Sequence, residues 1–154
     1  MTSPRRILAL LCAAVVAFTI VSIPATANAA HQKGLHIGLV QFDSPGKDTG
    51  SNTSLNAEWV NIHNATSKPI QLKGYQVKDK AGHVYTFPSY TVGAGKNVKL
   101  HTGKGTNGKG HVYWGRAAYV WNNTGDTATL LSPSGAKKDS CSWKKTANGK
   151  KNCH

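Results

Sequence analysis

Through residues 35–143 short runs of alternating apolar and polar side chains recur, with Gly, Pro, Asn and Asp between them, and no segment sustains the 3.6-residue spacing of a helix. The runs are LHIGLVQF from Leu35, EWVNIHN from Glu58, IQLKGYQVKD from Ile70, HVYTFP from His83, NVKLHT from Asn97, HVYWG from His111, TATLLS from Thr127 and DSCSW from Asp139. Within them Val60 and Ile62 share a face, as do Tyr75 with Val77, Val98 with Leu100, and Cys141 with Trp143. One apolar face per strand is what two packed antiparallel sheets require. Seven or eight strands in about 110 residues match an all-β, immunoglobulin-like antiparallel sandwich in size. The polar stretch 43–56, DSPGKDTGSNTSLN, predicts a loop.

The N-terminus reads differently. Arg5 and Arg6 precede an apolar run at 7–23, Pro24 breaks it, and the small-residue patterns Ala25-Thr26-Ala27 and Ala27-Asn28-Ala29 follow. This order predicts a secretory signal peptide over 1–29, removed after Ala29. The domain proper is then 30–154, extracellular or associated with a cell wall, with no stable membrane insertion after cleavage. Only Cys141 and Cys153 remain, and in an oxidising compartment such a pair predicts a disulfide. Without Arg5 and Arg6, 17 Lys and Arg stand against six Asp and Glu, a net charge of +11, and 16 of the 17 are Lys. Hydrated lysine charge suits general attraction to polyanions better than recognition of particular groups. It also serves solubility, and the sequence leaves both uses open.

The stretch HTGKGTNGKGH (101–111) imitates two phosphate-binding motifs. Gly103, Gly105 and Gly108 satisfy G-x-G-x-x-G, and seven of eight positions fit the P-loop pattern. The eighth is Gly110, which cannot offer a hydroxyl to Mg²⁺, and the strand-like HVYWG follows where a helix is needed. Nucleotide binding is excluded on context, and no cofactor is expected.

LNAEWVNIHN (55–64), LKGYQVKD (72–79), YTFP (85–88), LHTGKGTN (100–107), YWG (113–115) and WNNTGDTATL (121–130) occur in succession. That series resembles the lamin tail domain, particularly small secreted bacterial versions, over residues 35–143. The resemblance implies an immunoglobulin-like sandwich in which Gly103, Gly105 and Gly108 supply turn geometry between strands. It implies a tight turn at Asn122, Asn123, Gly125 and Asp126, no catalytic residues, and an interaction or tethering role.

The residues themselves also point away from catalysis. Glu58 is the only Glu; alternating with core positions, it is expected to meet a cross-strand Lys. No His pair has a tight ligand spacing, and Asp43, Asp48 and Asn52 lack the D-x-[DN]-x-[DN]-G spacing of a Ca²⁺ loop, so they are expected to cap their own loop and no metal is expected. Two surfaces are candidates for binding. Lys137, Lys138, Lys144, Lys145, Lys150 and Lys151, folded back by the disulfide and extended by Lys104, Lys109 and Arg116, would attract wall teichoic acid or extracellular DNA. Alternatively, Trp114 and Trp121 would stack on carbohydrate if exposed, whereas buried they would fill the core. A third reading is a structural domain whose partner is another secreted protein.

Overall fold

The computed structural model describes residues 32–154; the signal-peptide segment 1–29 lies outside the described residues. Twelve elements follow in order: β1 (Leu35–Gln41), α1 (Asn52–Ala57), β2 (Trp59–Asn64), β3 (Ile70–Gln71), β4 (Gln76–Lys78), β5 (Val84–Thr86), β6 (Thr91–Val92), β7 (Asn97–His101), β8 (His111–Tyr113), β9 (Gly125–Leu131), β10 (Lys137–Lys144) and β11 (Lys150–Asn152). One sheet has the order β11-β1-β2-β7-β8 and the other β10-β9-β4-β5, while β3 and β6 pair separately. Among the described residues no helix is long and apolar enough to cross a membrane.

The alternation in the sequence becomes the core. Val60 and Ile62 of β2, Val98 and Leu100 of β7, Val77 of β4, and Ala128 and Leu130 of β9 are all buried. Strand β1 needs one irregularity. Ile37 and Val40 both face inward although three residues apart, which a period of two forbids. A bulge between Ile37 and Leu39 in the β1–β2 register inserts the extra residue and turns both side chains to the core. A row of rings fills the space between sheets: Phe42 stacks on Trp143 at 5.2 Å, Trp143 meets Trp121 at 5.7 Å, Trp121 meets Trp114 at 5.9 Å, and Trp114 meets Tyr85 at 5.8 Å.

Four local expectations are modified. The loop 43–56 contains α1, because the Ser51 hydroxyl accepts from the Ser54 amide at 3.2 Å and buried Leu55 anchors the turn to the sandwich. The run from Ile70 divides into β3 and β4 at Gly74, whose φ of +81° takes the left-handed conformation. Strands β7 and β8 pair in parallel, an exception to the antiparallel pattern. The tail forms a strand, β11, antiparallel to β1.

The parallel pair explains the glycine-rich stretch. The chain must return along β7 within residues 102–110 before starting β8, so it runs tight against its neighbours. A Cβ on Gly103 would lie 2.6 Å from the Asn52 and Asn56 side-chain oxygens, and one on Gly105 would lie 2.5 Å from the Tyr113 ring. These two glycines serve close approach rather than a left-handed turn; that conformation falls to Gly110, at φ +78°. In the turn before β9, Asn122 bonds its own neighbourhood: its side-chain oxygen accepts from the Thr124 amide at 3.3 Å and from the Thr124 hydroxyl at 2.9 Å.

Cys141 of β10 and Cys153, just beyond β11, form the disulfide. Because β10 and β11 belong to different sheets, the bond staples one sheet to the edge of the other. The Cys153 amide adds a 3.0 Å bond to the Gly38 carbonyl in the β1 bulge.

Candidate functional site

The surface electrostatics start with the acids, most of which are inside. Asp79, Asp126, Asp139 and Glu58 are all buried. Asp79 accepts from the Gly82 and His83 amides, each at 2.7 Å, and its second oxygen meets His83 Nδ1 at 2.7 Å. Asp126 accepts from the Thr127 amide at 2.7 Å and from the Lys80 and Asn122 amides, each at 3.1 Å. Asp139 accepts from the Ile37 amide at 2.7 Å and the Ser140 amide at 2.8 Å, with His154 Nε2 at 3.2 Å. These carboxylates tie turns and strands to one another, since a buried amide without an acceptor costs about 1–3 kcal/mol.

Glu58 departs from its expected lysine pairing. Its position at the start of β2 turns it inward beneath α1, where its Oε1 accepts from the Thr102 hydroxyl at 2.7 Å, the Val120 amide at 2.9 Å and the Trp121 amide at 3.1 Å. The crossover between β8 and β9 is thereby held to β2 and the end of β7. Oε2 is buried with no hydrogen-bond partner. Burial pushes the Glu58 carboxyl up to about 7, against the lowering effect of its three hydrogen bonds and with a small added repulsion from Asp48.

Asp43 and Asp48 remain nearer the surface, and both accept from the Asn123 side-chain amide, at 2.9 and 3.3 Å. Asn52 accepts from the Lys104 amide at 2.7 Å. The three therefore brace this loop against the segments at Lys104 and Asn123 rather than capping it internally.

The lysines face water without acidic partners. Both ion pairs among the described residues join His to Asp, and none involves Lys or Arg. Lys99 alone rests on a ring, its Nζ 4.0 Å from the Trp59 centroid on the outer face of the five-stranded sheet. Beside it His101, Tyr113 and His111 stack at 5.0–5.1 Å, and burial lowers the His101 pKa despite its bond to the Asn56 carbonyl. Trp59 and this stacked row carry no motif that singles them out in the sequence; only the registers Trp59↔His101 and His101↔Tyr113 bring them together.

The nine basic candidates do not form one patch. Lys109 precedes β8, at one edge of the five-stranded sheet, and Lys150 and Lys151 lie on β11 at the other edge. Four strand spacings separate them, about 19 Å. Lys104 and Arg116 sit together instead by α1, lining a small depression with Gly50, Asn52, Leu55 and Ala117. Lys137 and Lys138 begin β10 and Lys144 ends it, roughly 20 Å away. Lys144, Lys145 and Lys151 do converge, around one groove with Ser142, Trp143 and Thr146.

The tryptophan alternative meets the core. Trp121 is 2% exposed, and Trp114 is half-buried against Tyr85 and Trp121, so the pair presents no paired ring faces for a sugar. In the stretch YWGRAAYVW, Val120 and Trp121 are both buried while Tyr113 and Trp114 are both half-buried, so alternation along the chain does not mark which ring turns inward.

Two sheets closed by inter-sheet rings and stapled by a disulfide, with a parallel strand pair at one edge, make this an immunoglobulin-like β-sandwich domain. The family model described as Lamin Tail Domain matches residues 28–145. The chain belongs to the lamin tail domain family. No curated protein matches it.

Proposed function

We propose that this lamin tail domain is an exported, non-catalytic binding or adhesion module that attaches to polyanionic polymers, wall teichoic acid or extracellular DNA, through lysine charge. One observation carries the reading: four of the six acids are withdrawn into the fold as acceptors for backbone amides and Asp43 and Asp48 hold the Asn123 side chain, so no surface lysine or arginine among the described residues is neutralised by an ion pair. The net charge of +11 on residues 30–154 therefore acts outward almost undiminished. The predicted leader at 1–29 supports export, and a disulfide fits an oxidising compartment. Burial of Trp121 weighs against the sugar-stacking alternative.

The test is the affinity of residues 30–154 for a short DNA duplex, used as a generic polyanion, across a salt series. The expected log–log slope is steeper than about −3, reporting several phosphates engaged together. Absence of binding at low salt would refute the reading, reduce the charge to a solubility feature, and direct attention to a protein partner.

A further inference from the structure

Resting on that reading, we infer that the groove between the end of β10 and β11 is a specific phosphate subsite, fitted to the phosphodiester unit of a polyol-phosphate polymer. The groove has a volume of about 400 Å³ and is lined by Ser142, Trp143, Lys144, Lys145, Thr146 and Lys151. Three lysine residues thus line one concavity, and none has an ion-pair partner among the described residues. Their mutual repulsion is relieved by an anion placed between them, which is the charge complementarity a phosphate provides.

The arrangement follows from register rather than from sequence proximity. Lys151 pairs across from Val40, a core residue, so its side chain leaves β11 on the side facing the second sheet. Lys150 pairs with Gln41 and alternates to the other face. The disulfide from Cys141 to Cys153 holds β11 beside β10, and therefore holds Lys151 near the end of β10, where the chain runs on through Lys144 and Lys145. Phe42 stacked on Trp143 makes the floor rigid. The backbone positions that carry the three lysines are consequently set before any ligand arrives, which lowers the ordering cost of binding.

The groove also discriminates among phosphodiesters. Single-stranded nucleic acids need exposed ring faces on which bases stack, and Trp143 is 6% exposed with one face on Phe42. Base-edge recognition in duplexes relies largely on bidentate side chains, whereas this groove offers lysine ammonium groups. What borders those ammonium groups is hydroxyl: Ser142, bonded to Thr127 at 2.8 Å, and Thr146, which donates to Asn148 at 3.1 Å. Hydroxyls that donate and accept match the alcohol groups of a polyol.

The test compares two triple variants of residues 30–154 that lose equal charge. One is Lys144→Gln/Lys145→Gln/Lys151→Gln, and the other is Lys68→Gln/Lys73→Gln/Lys78→Gln, at exposed lysines outside the candidate binding surfaces. The probes are a synthetic glycerol-phosphate oligomer and a DNA duplex of equal charge, titrated from low salt to about 0.15 M, where the Debye length of about 8 Å screens remote lysines. The groove variant is expected to flatten the oligomer's log–log salt slope by about 2, three contacts at about 0.7 each, while the control variant leaves it nearly unchanged. Amide shifts in the wild type on adding oligomer should concentrate at 142–146 and 151, a readout that needs no variant to fold. Equal losses in both variants would overturn the groove and leave diffuse lysine attraction standing. Tighter binding of the duplex than of the oligomer would overturn the polyol assignment in favour of nucleic acid. No binding of either probe by the wild type would overturn the groove together with the reading it rests on.

Discussion

Replacing Glu58 by Gln puts the buried carboxyl to a quantitative test. In the folded chain its pKa is about 7 and in the unfolded chain about 4.5. A carboxyl raised on folding binds its proton more tightly in the native state, so its contribution favours the native state at low pH. That contribution is fully present below 4.5 and is lost as pH rises through about 7. The difference of about 2.5 pH units, at about 1.4 kcal/mol each, gives a loss of about 3 kcal/mol, most of it between pH 4.5 and 7. Gln cannot titrate, yet its carbonyl oxygen can accept from Thr102, Val120 and Trp121 as Oε1 does. The Gln variant should therefore gain about 3 kcal/mol on the wild type between pH 4 and 8. Urea unfolding of both chains at fixed ionic strength measures this, and the difference between them cancels whatever pH dependence the two chains share. Two effects compete at this site, since three donors on one oxygen favour the charged form while burial with a partnerless Oε2 opposes it. If the wild type gains on the variant as pH rises, the hydrogen bonds win and the burial argument is refuted.

Two further outcomes test the fold's closures. Reducing the Cys141–Cys153 bond, or replacing both cysteines by Ser, should cost up to about 3 kcal/mol from the short loop released, seen as a lower melting temperature by calorimetry; an unchanged melting temperature would mean that β11 is held to β1 without it. Gly105→Ala should destabilise by about 1–3 kcal/mol, because the new methyl meets the Tyr113 ring, and Gly108→Ala, with open space at its Cβ, should cost far less. Restoration of the Gly105→Ala loss by Tyr113→Ala in chemical denaturation identifies the clash; equal costs at both glycines would instead indicate a backbone requirement.

The strands were legible because a half-buried β-strand writes its burial into the sequence. Val60 and Ile62, Val98 and Leu100, and Cys141 and Trp143 alternate with polar residues, and each pair lies in the core. The cysteine pairing was legible for a simpler reason, since outside the predicted leader, which holds Cys12, only Cys141 and Cys153 are left to pair. Helix α1 was readable in principle from Ser51 preceding Leu55, but a six-residue element leaves little periodicity to detect. Strands β3, β6 and β11 are two or three residues long, and Lys150–Asn152 is exposed throughout, so no hydrophobic pattern marks it.

Sequence by itself determined the fold class, the family, the excess of lysine and the failure of the phosphate-loop motif, because each depends on local pattern or composition. Tertiary structure decided where charge goes. Glu58, Asp79, Asp126 and Asp139 look like ordinary polar residues in the chain; long-range amides draw Glu58, Asp126 and Asp139 inside, and the local amides of Gly82 and His83 hold Asp79 there. Lysines adjacent in sequence part company, with Lys137 and Lys138 at one end of β10 and Lys150 turned from Lys151 by strand alternation. Lys144, Lys145 and Lys151 meet because a disulfide joins two sheets at that edge. Which strand borders which, and in what register, is fixed by packing across the whole sandwich, and no short window of sequence contains it.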